Sequence, residues 1–168
     1  INLYSKQGEI LASVKASINT KGYPLTLALS EDGTRLAVSY VIFNGGKISS
    51  SLVFYNFSNK ETSGEPAGSF DYDELFPRLE FVGTDTVLAC GAKGFYTYHF
   101  KDTVSEKFSY TFKAEAKSIF ITDKNVGVIT KNTEEAKEGK TVDKYEVEVY
   151  RFSGGRAASF TFDFDYKS

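Results

Sequence analysis

Residues 22–57 read GYPLTLALSEDGTRLAVSYVIFNGGKISSSLVFYNF, and the alternation in that stretch decides the fold. Leu25, Leu27 and Leu29 alternate with Thr26, Ala28 and Ser30, a period of two that puts the leucines on one face of a strand. Glu31-Asp32-Gly33-Thr34 breaks the run, and an Asp-Gly pair supplies the positive φ that a hairpin turn needs. Residues 36–43 are apolar on both faces, which predicts a second strand covered on both sides. Asn44-Gly45-Gly46-Lys47 makes a second turn, and residues 48–57 a third strand that ends in Tyr55-Asn56-Phe57.

That ending recurs as Tyr98-His99-Phe100 and Tyr150-Arg151-Phe152, 43 and then 52 residues further on, and a weaker echo, Leu3-Tyr4-Ser5, precedes it by 51. Strand-built periods of about 40–50 residues mark propeller blades. A four-stranded blade cannot bury both faces alone and stacks against its neighbours. The alternative is a β-sandwich whose strands end alike; turns recurring in register with the aromatic pairs favour the propeller. The chain therefore reads as all-β, a partial β-propeller of about three and a half four-stranded antiparallel blades. A half blade spans 1–16, and blades follow at 23–72, 75–113 and 117–166. Residues 58–68 read as a polar loop and residues 131–143 as a charged one. Outer strands are expected at 69–72, 107–113 and 158–166. A ring of this size does not close, which predicts two bare blade faces. The missing blades lie in flanking sequence, or two copies cover each other and give a homotypic contact. With a strand at Ile1-Asn2-Leu3-Tyr4 and no initiator Met, the sequence reads as part of a longer chain.

Composition narrows the functional classes. Twenty basic and 22 acidic residues in 168 leave no electrostatic case for nucleic acid or an anionic membrane. Fifteen Phe and 11 Tyr, without Trp or Met, suit sheet packing. No apolar run is long enough to span a bilayer, which predicts no direct membrane insertion of this segment. The lone Cys90, in Val87-Leu88-Ala89-Cys90, reads as a buried, inert thiol.

Ser30-Glu31-Asp32-Gly33-Thr34-Arg35-Leu36-Ala37-Val38 resembles the S-x-D-G-x-x-L-A-V hairpin signature of many bacterial WD40-like and YVTN-like propellers. The wider pattern of Gly22-Tyr23-Pro24, Leu29-Ser30, Val38-Ser39-Tyr40 and Phe54-Tyr55-Asn56-Phe57 is similar to an uncharacterised Gram-positive family known only as a domain of unknown function. Membership implies a propeller behind an N-terminal membrane anchor, which would put the domain on the extracellular face of a Gram-positive membrane with the anchor outside this segment. It brings no catalytic residues to carry over.

The search for chemistry returns little. His99, the single histidine, stands where the repeat has Asn56 and Arg151, which argues for structure rather than catalysis. Asp71-x-Asp73-Glu74 and Asp163-x-Asp165 each place two carboxylates on one strand face, but they lack the glycine spacing of a calcium loop and read as solvated edges. Gly91-Ala92-Lys93-Gly94 has no helix behind it to cradle a phosphate, and Asn56-Phe57-Ser58 is a chance sequon on a structural strand. No metal, cofactor or catalytic residue is expected.

Propeller ligands gather on the end formed by the links between blades and the loops from second to third strands. There the sequence places Tyr23, Tyr72, Arg78 and Lys117, aromatics beside cations, as candidate ligand-binding residues for protein or glycan. The competing reading makes Tyr23 and Phe76, each before a proline (Pro24, Pro77), packing plugs where a strand begins. The functional expectation is a non-catalytic binding or scaffold module of a surface-exposed bacterial protein. The alternatives are a glycan- or peptide-active hydrolase with carboxylates near the channel, and a purely structural subunit.

Overall fold

The computed structural model describes residues 1–15, 22–58, 64–135 and 141–164. Expected features at 17–21, 59–63 and 136–140, and at Asp165 and Tyr166, lie outside them. The described residues hold fourteen strands and no helix. Strands β1 (Asn2–Tyr4) and β2 (Ile10–Ser13) pair alone as a two-stranded sheet, the half blade. The first blade contains β3 (Tyr23–Leu29), β4 (Arg35–Asn44), β5 (Lys47–Asn56) and β6 (Pro66–Tyr72). The second contains β7 (Arg78–Val82), β8 (Thr86–Cys90), β9 (Gly94–Phe100) and β10 (Val104–Thr111). The third contains β11 (Ala116–Ile121), β12 (Asn125–Glu135), β13 (Thr141–Arg151) and β14 (Arg156–Phe164). In each blade neighbouring strands follow chain order and run antiparallel, so the fold is an open partial propeller.

The turn chemistry accounts for the first blade. Asp32 Oδ1 accepts hydrogen bonds from Ser30 Oγ (2.6 Å), Thr34 N (3.0 Å) and Thr34 Oγ1 (2.8 Å), and Gly33 takes φ +71°. Those bonds, the one from Ser30 foremost, hold the Asp32 carboxyl well below the usual carboxylate range. At the next turn Asn44 pairs with Lys47, and Gly45 and Gly46 both have positive φ, as a two-residue hairpin loop requires.

Aromatic packing between sheets forms the core. Between first and second blades, Phe54 packs on Tyr98 and Phe100 with ring centroids 5.1 and 5.4 Å apart, and Phe70 of the first blade packs on Tyr98 at 5.1 Å. Between second and third, Phe95, Phe112 and Tyr150 close over Val126 and Val128. Val14 beside the half blade covers Leu36, Val38, Tyr40, Val53 and Tyr55. The repeated tyrosines Tyr55, Tyr98 and Tyr150 are all buried, one in each of these three clusters.

A polar clamp also joins the first two blades. Arg35, 7% exposed, donates through Nη1 to Asp85 Oδ1 (2.6 Å) and the Phe100 carbonyl (2.9 Å), and through Nη2 to Asp32 (3.2 Å). Asp85 is lowered by the Arg35 hydrogen bond. Burial works against the Arg35 charge, but the bonds to Asp85 and Asp32 outweigh it and raise its pKa.

Several expectations need correction. The charged stretch 131–143 is not a loop throughout: 131–135 and 141–143 extend β12 and β13, and Lys131 Nζ meets Asp143 Oδ2 across them at 2.7 Å. Opposite charges on neighbouring strands support a ladder that composition alone reads as coil. The outer strands β6 and β10 start three residues earlier than expected, at Pro66 and Val104, and each carries a bulge against its neighbour. No correction is needed at the third blade's terminal face, expected to be bare: Phe160 in β14 is 63% exposed, and among the described residues no further sheet stacks there.

Candidate functional site

Inner strands β3, β7 and β11 begin at one end of the stack, beside the β4–β5, β8–β9 and β12–β13 hairpins. Tyr23 is the first residue of β3, opposite Val41, and stays half exposed. Gly22 before it has φ +81°, and a Cβ there would strike the Val41 carbonyl, so this start needs glycine. Tyr23 meets the exposed Phe43 edge-on, with centroids 6.2 Å apart. Phe43 pairs across the hairpin with Ile48, also exposed, so an apolar tip stands at this end of the first blade.

Arg78 opens β7 opposite Cys90, and its guanidinium lies 3.6 Å from Glu80. Lys117 is the second residue of β11 and is exposed. Both line one shallow cavity of about 260 Å³, with Pro77, Ala92, Ala116 and Ile119 supplying apolar wall. The hydrogen bond from Ala116 N to Ala92 O (2.7 Å) ties the start of the third blade to the turn of the second, beside both residues. Two cations over an apolar floor suit a carboxylate on an apolar stem.

Tyr72 is placed differently. It ends β6, and its ring packs on Phe76 (5.0 Å) and Tyr96 (4.7 Å). Its hydroxyl bonds to that of Tyr98 and donates to Glu106 Oε2 at 3.2 Å. Burial is the main cause raising the Tyr72 phenol above its ordinary range. Phe76 is fully buried and fills a plug position, whereas Tyr23, its counterpart before a proline, is not buried. The structure thus brings Arg78 and Lys117 into one cavity, sets Tyr23 on the preceding blade at the same end, and engages Tyr72 in packing.

Sequence reasoning did not single out Phe43 and Ile48. The signal was present in the two glycines at the hairpin tip, since residues flanking a projecting two-residue loop have no neighbouring sheet to cover them. A wider, open depression of about 620 Å³ lies at the other end of the third blade, lined by Asp123, Lys124, Asn125, Arg151 and Phe152 among others.

Among the described residues no three His, Cys, Asp or Glu side chains are grouped to hold a metal ion. Glu74 accepts from Tyr96 Oη (3.3 Å) and Lys93 N (3.4 Å), a tie between the inter-blade link and the β8–β9 turn. His99 lies in β9 opposite Thr86 and Ser105. Burial pushes the Cys90 thiol up to about 12, far from a reactive thiolate. Among the described residues no helix is long and apolar enough to cross a membrane.

The fold has known counterparts. The chain superposes on the crystal structure of Sqt1 from Chaetomium thermophilum with a TM-score of 0.56 and 11% identity, over 82% of this chain and 35% of that one. It superposes on the Pan2 WD40 domain of Neurospora crassa with a TM-score of 0.55 and 11% identity, over 96% of this chain and 46% of that one. Both are WD40 propellers, and the chain spans less than half the length of either. At this identity the likeness establishes architecture alone. No curated protein matches the sequence. The sequence profile that does match covers residues 1–168 in full, and the chain belongs to the family of unknown function DUF5711.

Proposed function

We propose that this chain is a non-catalytic binding or scaffold module that receives a protein segment across the end marked by Tyr23, Arg78 and Lys117. The observation that carries this reading is the shared cavity of Arg78 and Lys117, with its apolar wall, beside the exposed Tyr23–Phe43 pair. An extended peptide bearing a carboxylate next to an apolar side chain fits that arrangement. A glycan would use the exposed aromatic rings instead. Neither cavity described above is lined by two carboxylates, so no observation favours the hydrolase reading.

The family resemblance supports a location on the extracellular face of a Gram-positive membrane, with an anchor outside residues 1–168. The bare outer faces support homotypic contact when the segment is studied alone. The test is binding of labelled protein to peptide and glycan arrays, repeated with R78A/K117A and with Y23A/F43A. Acidic peptide hits lost in the first variant support the proposal. Glycan hits lost only in the second replace the peptide by a sugar. Turnover of any bound substrate overturns the non-catalytic reading.

A further inference from the structure

The cavity shared by Arg78 and Lys117 is small, and its two positive charges are not equally free. Its volume of about 260 Å³ lies below the roughly 300–1,000 Å³ of pockets that enclose a drug-sized ligand, so it takes one residue rather than a run of them. Apolar Pro77, Ala92, Ala116 and Ile119 form most of the lining, and no acidic residue contributes to it. Arg78 already has a carboxylate beside it: Glu80 Oε2, two residues on along β7, lies 3.6 Å from its Nη2. Both side chains are about half exposed, so that pair is weak, yet an incoming second carboxylate would still meet Glu80 as a like charge. Lys117 is exposed, and among the described residues it has no ion pair. One positive charge is therefore left to answer, which seats one carboxylate.

We propose that this cavity captures the last residue of a partner polypeptide that ends in an apolar side chain. Lys117 meets the free α-carboxylate, the side chain lies on the apolar wall, and Glu80 limits the site to one negative charge. Backbone geometry selects a chain end over an internal acidic residue. In an extended peptide neighbouring side chains point to opposite faces, so an acidic residue and its apolar neighbour cannot both enter. Residues i and i+2 share a face but sit about 7 Å apart, and both side chains would have to crowd into the one small space. At a chain end the carboxylate and the side chain branch from a single carbon. A free amino acid has the same branch point, but its ammonium group would stand beside Arg78 and Lys117, whereas the amide nitrogen of a peptide carries no charge. This inference rests on the ligand reading above and narrows it.

The experiment is fluorescence anisotropy of labelled hexapeptides, differing only at the last residue, titrated with residues 1–168. A peptide ending in leucine with a free carboxylate is expected to bind at least about tenfold more tightly than its C-terminal amide, the scale of a lost hydrogen bond to a charged group. K117A is expected to bring the free acid down to the amide and to leave the amide unchanged. E80Q is expected to narrow the preference for terminal leucine over terminal aspartate about threefold, by freeing Arg78 for the second carboxylate; an unchanged preference overturns the role given to Glu80. Equal affinity of acid and amide overturns the chain end, and if R78A/K117A still abolishes both, the ligand reading stands without it. A capped peptide with aspartate beside leucine that binds as tightly as the free end overturns it too. Free leucine is expected to compete at least about tenfold less well than N-acetyl-leucine, through repulsion of its ammonium group. Equal competition replaces the chain end by a free amino acid. Absence of binding by every peptide overturns the ligand reading and this inference together.

Discussion

Replacing Arg35 by alanine tests how strongly one side chain couples two blades. Its guanidinium is nearly buried and spans from the first blade to Asp85 and the Phe100 carbonyl of the second. Removing one partner of a buried pair costs about 3–5 kcal/mol. The lower end applies here, about 3 kcal/mol, because the Asp85 and Asp32 side chains are 33% and 48% exposed and regain water. The Phe100 carbonyl, on a fully buried residue, regains less. For a chain of this size that is about 6–12 °C in Tm. R35K keeps the charge but not the planar fork, so about half the loss is expected. The assay is urea unfolding followed by circular dichroism, with the m-value checked for separate melting of the blades. Acid gives an independent reading. Both aspartates are lowered from 3.8, so their stabilisation is complete above that value and is lost as pH falls through the lowered range. A midpoint for R35A within about 0.5 kcal/mol of wild type, as for an ordinary surface position, would refute the clamp.

Three further outcomes follow from the packing. Burial first, and hydrogen bonding second, raise Tyr55 and Tyr150 above the ordinary 10, and burial raises Tyr98 most. The unfolded chain therefore sheds protons that the folded one keeps, and stability is expected to fall as pH rises past about 10. Tyrosinate absorbance should then appear together with unfolding, and Y98F should lose about 1 kcal/mol by removing the Tyr72 bond. A Cβ at Gly94 would run into the Tyr110 backbone, whereas the atoms nearest one at Gly127 all belong to the far end of the Phe120 ring, a side chain 40% exposed. G94A is accordingly expected to cost more than about 1 kcal/mol and G127A less, by thermal melting. Cys90 is expected to resist thiol reagents until the protein is unfolded, as labelling with and without urea will show.

The fold was legible because its signals are local. The Asp32-Gly33 turn, the alternation around Leu27 and the Tyr-x-Phe strand endings each occupy a few residues, and each marks a real strand or turn. The clamp was not legible, since Arg35 and Asp85 are 50 residues apart and meet only when sheets stack. The hairpin through Lys131 and Asp143 was misread because a charge-rich ladder has the composition of a loop. Arg78 and Lys117 could be placed at one end from strand order, but that they share a cavity depends on how the second and third blades stack, which brings Ala116 N to Ala92 O. Tyr72 looked exposed because its cover, Tyr96 and Tyr98, comes from the following blade.

The repeated tyrosine has a consequence for assembly. Each interface uses the same strand position, yet each hydroxyl meets a different counterpart: Tyr40 for Tyr55, Tyr72 for Tyr98, and Glu148, itself held by Arg156, for Tyr150. Of these three bonds only Tyr72–Tyr98 spans two blades, whereas Tyr40 and Glu148 belong to the same blades as the tyrosines they serve. Transposing the second module would strand its phenol, while the first and third would carry their mates along, so of the three hydroxyl bonds only the one at the seam between the first two layers names its neighbour.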